Sequence, residues 1–235
     1  MSEKYTIEEL ERRIHYQFHN KQLLKQAITH SSHANEQRIN KYGDYERLEF
    51  LGDAVLELVS SSFLFHEYPD MSEGKLTKLR SSMVCEPSLA YCAKDLEIGQ
   101  FLLLGKGEEA TGGRNRDSII ADVMEAITGA IYLDSGFEAA SAFIHEFILS
   151  DLENKKLFYD AKSVLQEIIQ GKQDGELVYE LDKEEGPEHD KEFFVSAKYQ
   201  GEVIGTGKGR TKKAAEQQAA YEALLQRKEA GEIHG

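Results

Sequence analysis

Four acidic side chains interrupt two strongly apolar stretches. Glu49 and Asp53 stand four apart in ERLEFLGDAVLELV, and Asp122 and Glu125 stand three apart in SIIADVMEAITGAIYLD. On a helix, each spacing puts both carboxylates on one face. Like charges so placed cost a few tenths of a kcal/mol even on an exposed helix, and burying an ionised carboxylate costs far more unless something compensates it. A cation is the natural compensation. Two such helices packed face to face would gather four hard oxygen ligands, a set that, with no neighbouring Cys, selects Mg²⁺ or Mn²⁺. An ion held this way can orient and activate a water and stabilise the leaving oxygen of a phosphodiester. The plain alternative is that each acid is a solvated position on an amphipathic helix, and for Glu46 and Glu57 the two accounts stand level. For the quartet the plain account is weaker, because these acids break the apolar face rather than lie opposite it. Gly52 and Gly129 sit in the same two stretches. Each costs about 1 kcal/mol relative to Ala inside a helix, so another backbone or a ligand is expected close by.

A second constellation lies near the C-terminus. KGRTKKAAEQQAA puts Lys208, Arg210, Lys212 and Lys213 within six positions with no acid among them. Thr211 is a candidate N-cap, which places both later lysines on a first helical turn, where free N–H groups and the helix dipole favour anions. Phosphate binding and a solvated helix start both fit. Other features carry less. Gly105 to Asp117 is rich in glycine but lacks the spacing and terminal Lys-Ser/Thr of a P-loop. Arg114 and Arg116 are either polyanion contacts or parts of a solvated loop. His30 and His33 have no third ligand in view, so packing or surface roles are expected.

The elements that position these residues fall into two types. From residue 7 to about 152, apolar residues recur at helical spacing, as in Leu48, Leu51, Val55, Leu58 and in Ile119, Val123, Ile127, Ala130. Breaks are expected at Lys41 to Asp44, at Tyr68 to Gly74 and at the loop Gly105 to Asp117. Beyond the segment ENKKLFYDAK (residues 153–162) the pattern changes. A short helix over Lys162 to Gln170 precedes period-two stretches in Leu177, Tyr179, Leu181 and in Phe193, Val195, Ala197, Tyr199. Gln200-Gly201 reads as a hairpin turn, a third strand as residues 202–206, and a last helix as residues 211–227 with Ala215, Ala219, Ala223 and Leu224 inward. The expected order is α-β-β-β-α, and the expected domains are 1–155 and 160–229.

Bulk properties narrow the function. The 235 residues are 40% hydrophobic and 30% charged with 3 Pro, a folded rather than disordered composition. No apolar run nears the roughly 18 residues that span a bilayer, and MSEKYTIEELERR is too acidic for a signal peptide, so a cytoplasmic protein without a membrane partner is expected. Cys85 and Cys92, seven apart, read as buried thiols. The net charge of −14 argues against a polyanion partner at first sight. Residues 1–159, however, hold 17 Lys and Arg against 26 Asp and Glu, while residues 160–228 hold 11 against 14. A local basic cluster can bind phosphate whatever the total.

Taken together, these residues make the chain resemble the bacterial ribonuclease III family from about Ile7 to Leu225. YERLEFLGDAVL (residues 45–56) matches the family's signature segment, and residues 118–134 resemble its second acidic helix. SVLQEIIQG, GPEHDKEFFVSA and KGRTKKAAEQQAA follow in the order of a double-stranded-RNA-binding domain. The resemblance implies an all-α endonuclease domain followed by an α+β RNA-binding domain. It implies a Mg²⁺-dependent homodimer, with Mn²⁺ as a plausible substitute, that hydrolyses double-stranded RNA to 5′-phosphate ends and short 3′ overhangs, as in processing of ribosomal RNA precursors. By the same resemblance Glu49, Asp53, Asp122 and Glu125 are metal-binding, Asp53 and Glu125 are catalytic, and Glu46 and Glu73 lie near the dimer interface or substrate. Gln166, Gln170 and His189 become minor-groove contacts, and Lys212 and Lys213 phosphate contacts, which suits the wide, shallow minor groove of A-form RNA. Asp44 departs from the family's usual Asn before the signature, and YDAKSV from its commoner linker form. The alternative is a protein of the same fold that binds RNA without cutting it. The intact quartet speaks for the enzyme.

Overall fold

The computed structural model describes residues 5–38, 43–150, 161–171, 175–186, 191–209 and 211–229, and the chain divides into two units at 150/151. The helical periodicity of the first unit becomes α1 (Ile7–Arg13), α2 (Lys21–Ala27), α3 (Ser31–Glu36), α4 (Glu46–Glu67), α5 (Glu73–Met83), α6 (Glu86–Asp95), α7 (Lys106–Ala110), α8 (Asp117–Ser135) and α9 (Phe137–Phe143). Polar side chains start the first three. Thr6, Asn20 and His30 each accept a hydrogen bond from a backbone N–H of the first turn, which satisfies donors the helix itself leaves unpaired.

Helix α8 is apolar around most of its circumference and is accordingly the central element, with Ile119, Ile120, Val123, Met124, Ile127, Ala130 and Ile131 all buried. Helices α2, α4, α6 and α9 pack around it. Its far end is tied down by Asp134, whose carboxylate accepts backbone N–H bonds from His19 and Asn20, both at 2.9 Å, and the Tyr16 hydroxyl at 2.7 Å. Residues 105–117 differ from the loop expected of their glycines. They form α7 and a 3₁₀ turn at Gly113–Asn115. Arg114 bonds Glu109 and the Gly99 carbonyl, and Arg116 pairs with Glu108 at 2.6 Å, so both arginines serve the turn's own structure.

Leu58 also departs from expectation. It belongs to the apolar pattern of α4, yet it is 59% exposed and lines up with Phe50 (80%) and Phe65 (68%) at seven- and eight-residue intervals. The apolar stripe of α4 is therefore wider than this unit's core can cover. Neither cysteine is in a disulfide, Cys92 being buried and Cys85 half-buried. Among the described residues, no helix is long and apolar enough to cross a membrane.

The second unit runs α10 (Ala161–Gly171), β1 (Leu177–Glu185), β2 (Glu192–Tyr199), β3 (Glu202–Gly209) and α11 (Lys212–Glu229), the expected α-β-β-β-α order. The strands form an antiparallel sheet in the order β1-β2-β3. Gln200 and Gly201, at φ of 52° and 82°, make the tight turn between β2 and β3, a conformation that favours Gly at the second position. Val195 and Ala197 are buried with Ala215 and Ala219, while Leu165 and Ile169 meet Ala220, Ala223 and Leu224 where the two helices pack. Leu181 breaks the alternation. The register slips between Leu181 and Lys183, and Leu181 is left 39% exposed.

Candidate active site and RNA-binding surface

The site begins at two glycines. A Cβ on Gly52 of α4 would lie 1.8 Å from the Glu125 carbonyl oxygen, and one on Gly129 of α8 would lie 2.2 Å from the Leu48 carbonyl oxygen. The two helices thus cross backbone to backbone, an approach that only glycine permits on both sides. This crossing sets one turn of α4, with Glu49 and Asp53, against one turn of α8, with Asp122 and Glu125. The neighbouring positions Leu48, Val55, Ile119, Val123 and Ala126 are buried, so the acids rise from an apolar base.

Electrostatics report their proximity. Burial, then the charges of Asp122, Glu46 and Asp53, push the Glu49 carboxyl up to about 7. Burial, then Asp53, Glu49 and Asp122, push Glu125 up to about 8. Burial also raises Asp122, against the opposing effects of a hydrogen bond from Tyr45 and the nearby His30. Glu49 and Glu125 hold their protons to higher pH because extra negative charge here has no partner, the state a cation relieves. Their chemistry fits a hard divalent ion, being carboxylate oxygens without thiolate or imidazole. Among the described residues no three His, Cys, Asp or Glu side chains are gathered as a ready metal cage.

Glu46 is exposed on the first turn of α4. Glu73 opens α5 and accepts a hydrogen bond from Thr77 Oγ1 at 3.1 Å. Tyr45, directly before α4, was not singled out by residue type. Its hydroxyl donates to Asp122 Oδ2 at 3.3 Å, and burial and that acid keep it protonated. Nothing in the sequence pairs positions 45 and 122. His30 takes the packing role expected of it: Nδ1 accepts from the Ser32 N–H at 3.1 Å, and the ring meets Tyr45 edge-on.

In the second unit, Gln166 is half-buried and Gln170 exposed on α10, four apart. Lys212 and Lys213 are exposed on the first turn of α11. Thr211 Oγ1 accepts from the Ala214 N–H at 3.1 Å, the N-cap its sequence position suggested. His189 and Arg210 lie outside the described residues. One feature escaped the sequence. Acids distant in the chain stand beside the lysines, with Lys212 Nζ 3.4 Å from Glu184 and Lys208 Nζ 2.9 Å from Glu192. Such exposed pairs are worth at most about 1 kcal/mol and yield to a phosphate.

Known proteins agree with this architecture. Residues 20–152 match the family model described as ribonuclease-III-like, and residues 161–227 match the double-stranded RNA binding motif. Ribonuclease 3 of Bacillus licheniformis is 52% identical over 220 residues, 93% of this chain and 88% of its own. That of Shouchella clausii is 53% identical over 210 residues, 88% and 81% of the two chains. Among solved structures, the nuclease domain of ribonuclease III from Campylobacter jejuni superposes with a TM-score of 0.57 at 45% identity, covering 61% of this chain and 96% of that one, and is described for flexibility in a region involved in dimer formation. With a ribonuclease-III nuclease unit and a double-stranded-RNA-binding unit matched in order along it, this chain belongs to the ribonuclease III family of endoribonucleases.

Proposed function

We propose that the protein is a cytoplasmic, Mg²⁺-dependent homodimeric endoribonuclease that cuts double-stranded RNA to 5′-phosphate ends with short 3′ overhangs, including precursors of ribosomal RNA. The observation that supports this reading is the glycine crossing, which brings the turn of α4 that carries Glu49 and Asp53 against the turn of α8 that carries Asp122 and Glu125, in a chain of an endoribonuclease family. Glu49, Asp53, Asp122 and Glu125 would hold the ion, with Asp53 and Glu125 as the catalytic pair. The mutual repulsion of Glu49 and Glu125 with Asp53 and Asp122 disfavours a fully ionised quartet, and a bound cation would balance that charge. When bound, Mg²⁺ supplies activation of the attacking water and stabilisation of the leaving oxygen.

The RNA-binding unit supplies affinity. Gln166, Gln170 and His189 read the shape of the minor groove through 2′-hydroxyls, and Lys212 and Lys213 hold phosphates at a helix N-terminus whose dipole already favours anions. The stripe of Phe50, Leu58 and Phe65 supports the dimer. Three large apolar side chains in line on one helix make the kind of patch that a partner surface covers.

The test is direct. The purified protein should cut a long perfect RNA duplex in Mg²⁺, stop on chelation, and leave a nucleoside monophosphate untouched. Duplex binding without cleavage in Mg²⁺ or Mn²⁺ would instead point to an RNA-binding protein of the same fold.

A further inference from the structure

Tyr45 is 4% exposed, so its hydroxyl needs a partner within the protein. It donates to Asp122 Oδ2 on α8, at 3.3 Å, while its own backbone opens α4. We infer that Tyr45 is a positioning residue for the metal centre, holding the Asp122 carboxylate by one oxygen so that the other is presented to the divalent cation. The inference rests on the proposal that Asp122 is a metal ligand.

Three observations support it. First, the tyrosine is anchored by elements other than the helix it acts on. Its N–H donates to the Thr29 carbonyl at 2.9 Å. Thr29 is bridged to Leu103, and its hydroxyl is bonded to the Lys25 carbonyl at 2.6 Å. The His30 ring closes edge-on against the Tyr45 ring, with centroids 5.7 Å apart. Second, Asp122 has reason to turn away from its neighbours, because it stands three positions from Glu125 on α8, at the crossing with the turn of α4 that carries Glu49. A fixed donor opposes that rotation. Third, the donor is neutral. A lysine or arginine in this place would restrain the carboxylate equally well but would repel the cation and compete with it for the carboxylate's charge. A phenol restrains without competing, which is the usual work of groups hydrogen-bonded to metal ligands, whose loss typically costs about 10- to 100-fold in metal affinity or activity.

The experiment uses the full-length protein without RNA and reads Mn²⁺ binding from the electron paramagnetic resonance signal of the free ion. Tyr45→Phe keeps the ring and its contact with His30 and removes only the hydroxyl. The Mn²⁺ dissociation constant should rise about tenfold, within the range such partners show. The Mg²⁺ concentration for half-maximal cleavage should shift by the same factor, and the rate at saturating Mg²⁺ should recover. Metal-free duplex binding should not change, and the metal-free unfolding midpoint verifies that each variant is folded at the assay temperature. In an Asp122→Asn background, Tyr45→Phe should add no further loss. Unchanged Mn²⁺ affinity in Y45F, or the same added loss in the D122N background, would overturn the inference. A D122N protein that binds Mn²⁺ like wild type would instead overturn the assignment of Asp122 as a ligand.

Discussion

Replacing Glu125 with Gln should make the metal-free protein more stable while destroying its catalysis. Gln has nearly the same size and helix propensity, so the change removes charge and little else. In the folded protein Glu125 is pushed from 4.5 up to about 8 by burial and by Asp53, Glu49 and Asp122. A carboxyl raised in this way favours the folded state most below pH 4.5, and the advantage is lost as pH rises towards 8. At 1.36 kcal/mol per pH unit, the whole displacement corresponds to about 5 kcal/mol. The group is partly exposed and shares its repulsion with Glu49, so solvent screening reduces the recoverable part to about 1–2 kcal/mol. At about 2–4 °C per kcal/mol for a unit of this size, E125Q should melt about 2–8 °C above wild type in chelator at pH 8, with the gap closing towards pH 5. Mg²⁺ should then narrow or reverse the order, because an ion at ten times its dissociation constant adds about 1.4 kcal/mol to the protein that binds it. Scanning fluorimetry at three pH values, with and without Mg²⁺, reads all of this, and a cleavage assay should show activity collapse with duplex binding retained. An E125Q protein less stable than wild type in chelator at pH 8, or a gap that ignores pH, would refute the picture of four crowded carboxylates.

Further outcomes follow from the same geometry. Gly52→Ala should destabilise the nuclease unit by about 3 kcal/mol or more, although Ala is the better helix former by about 1 kcal/mol, because its Cβ would meet the Glu125 carbonyl at 1.8 Å. An unchanged urea midpoint would mean the helices do not cross there. Lys212→Ala with Lys213→Ala should weaken binding to all duplexes alike and flatten the plot of log affinity against log salt by up to about two units, taking roughly −0.9 per contact from DNA as a guide. Gln166→Ala should lower affinity with little change in that slope, and equal slopes in wild type and double mutant would remove the lysines from the phosphate contacts. Phe50→Asp should convert the proposed dimer to monomer in sedimentation equilibrium, and a persistent dimer would exclude the exposed stripe of α4 as its interface.

Much of this protein is legible in its sequence alone. The spacing of Glu49 with Asp53 and of Asp122 with Glu125 depends only on helix periodicity, and an acid within an apolar run is a local feature. The same holds for the N-cap at Thr211, the turn at Gln200-Gly201 and the change from period 3.6 to period 2 after the linker, since each is set by neighbours a few residues away. Gly52 and Gly129 signalled that something must come close, without saying what. Only the tertiary structure decided that they face each other, that the four acids therefore repel one another, and that Tyr45 reaches Asp122 from 77 residues away. It also decided that Leu58 faces outward with Phe50 and Phe65, that Leu181 falls at a slip in register, and that Glu184 and Glu192 stand beside lysines that looked unopposed in the sequence. The reason is the same in each case: period and composition determine which face of an element is apolar, whereas the partner that covers a face or meets a charge is chosen by packing among elements distant in the chain.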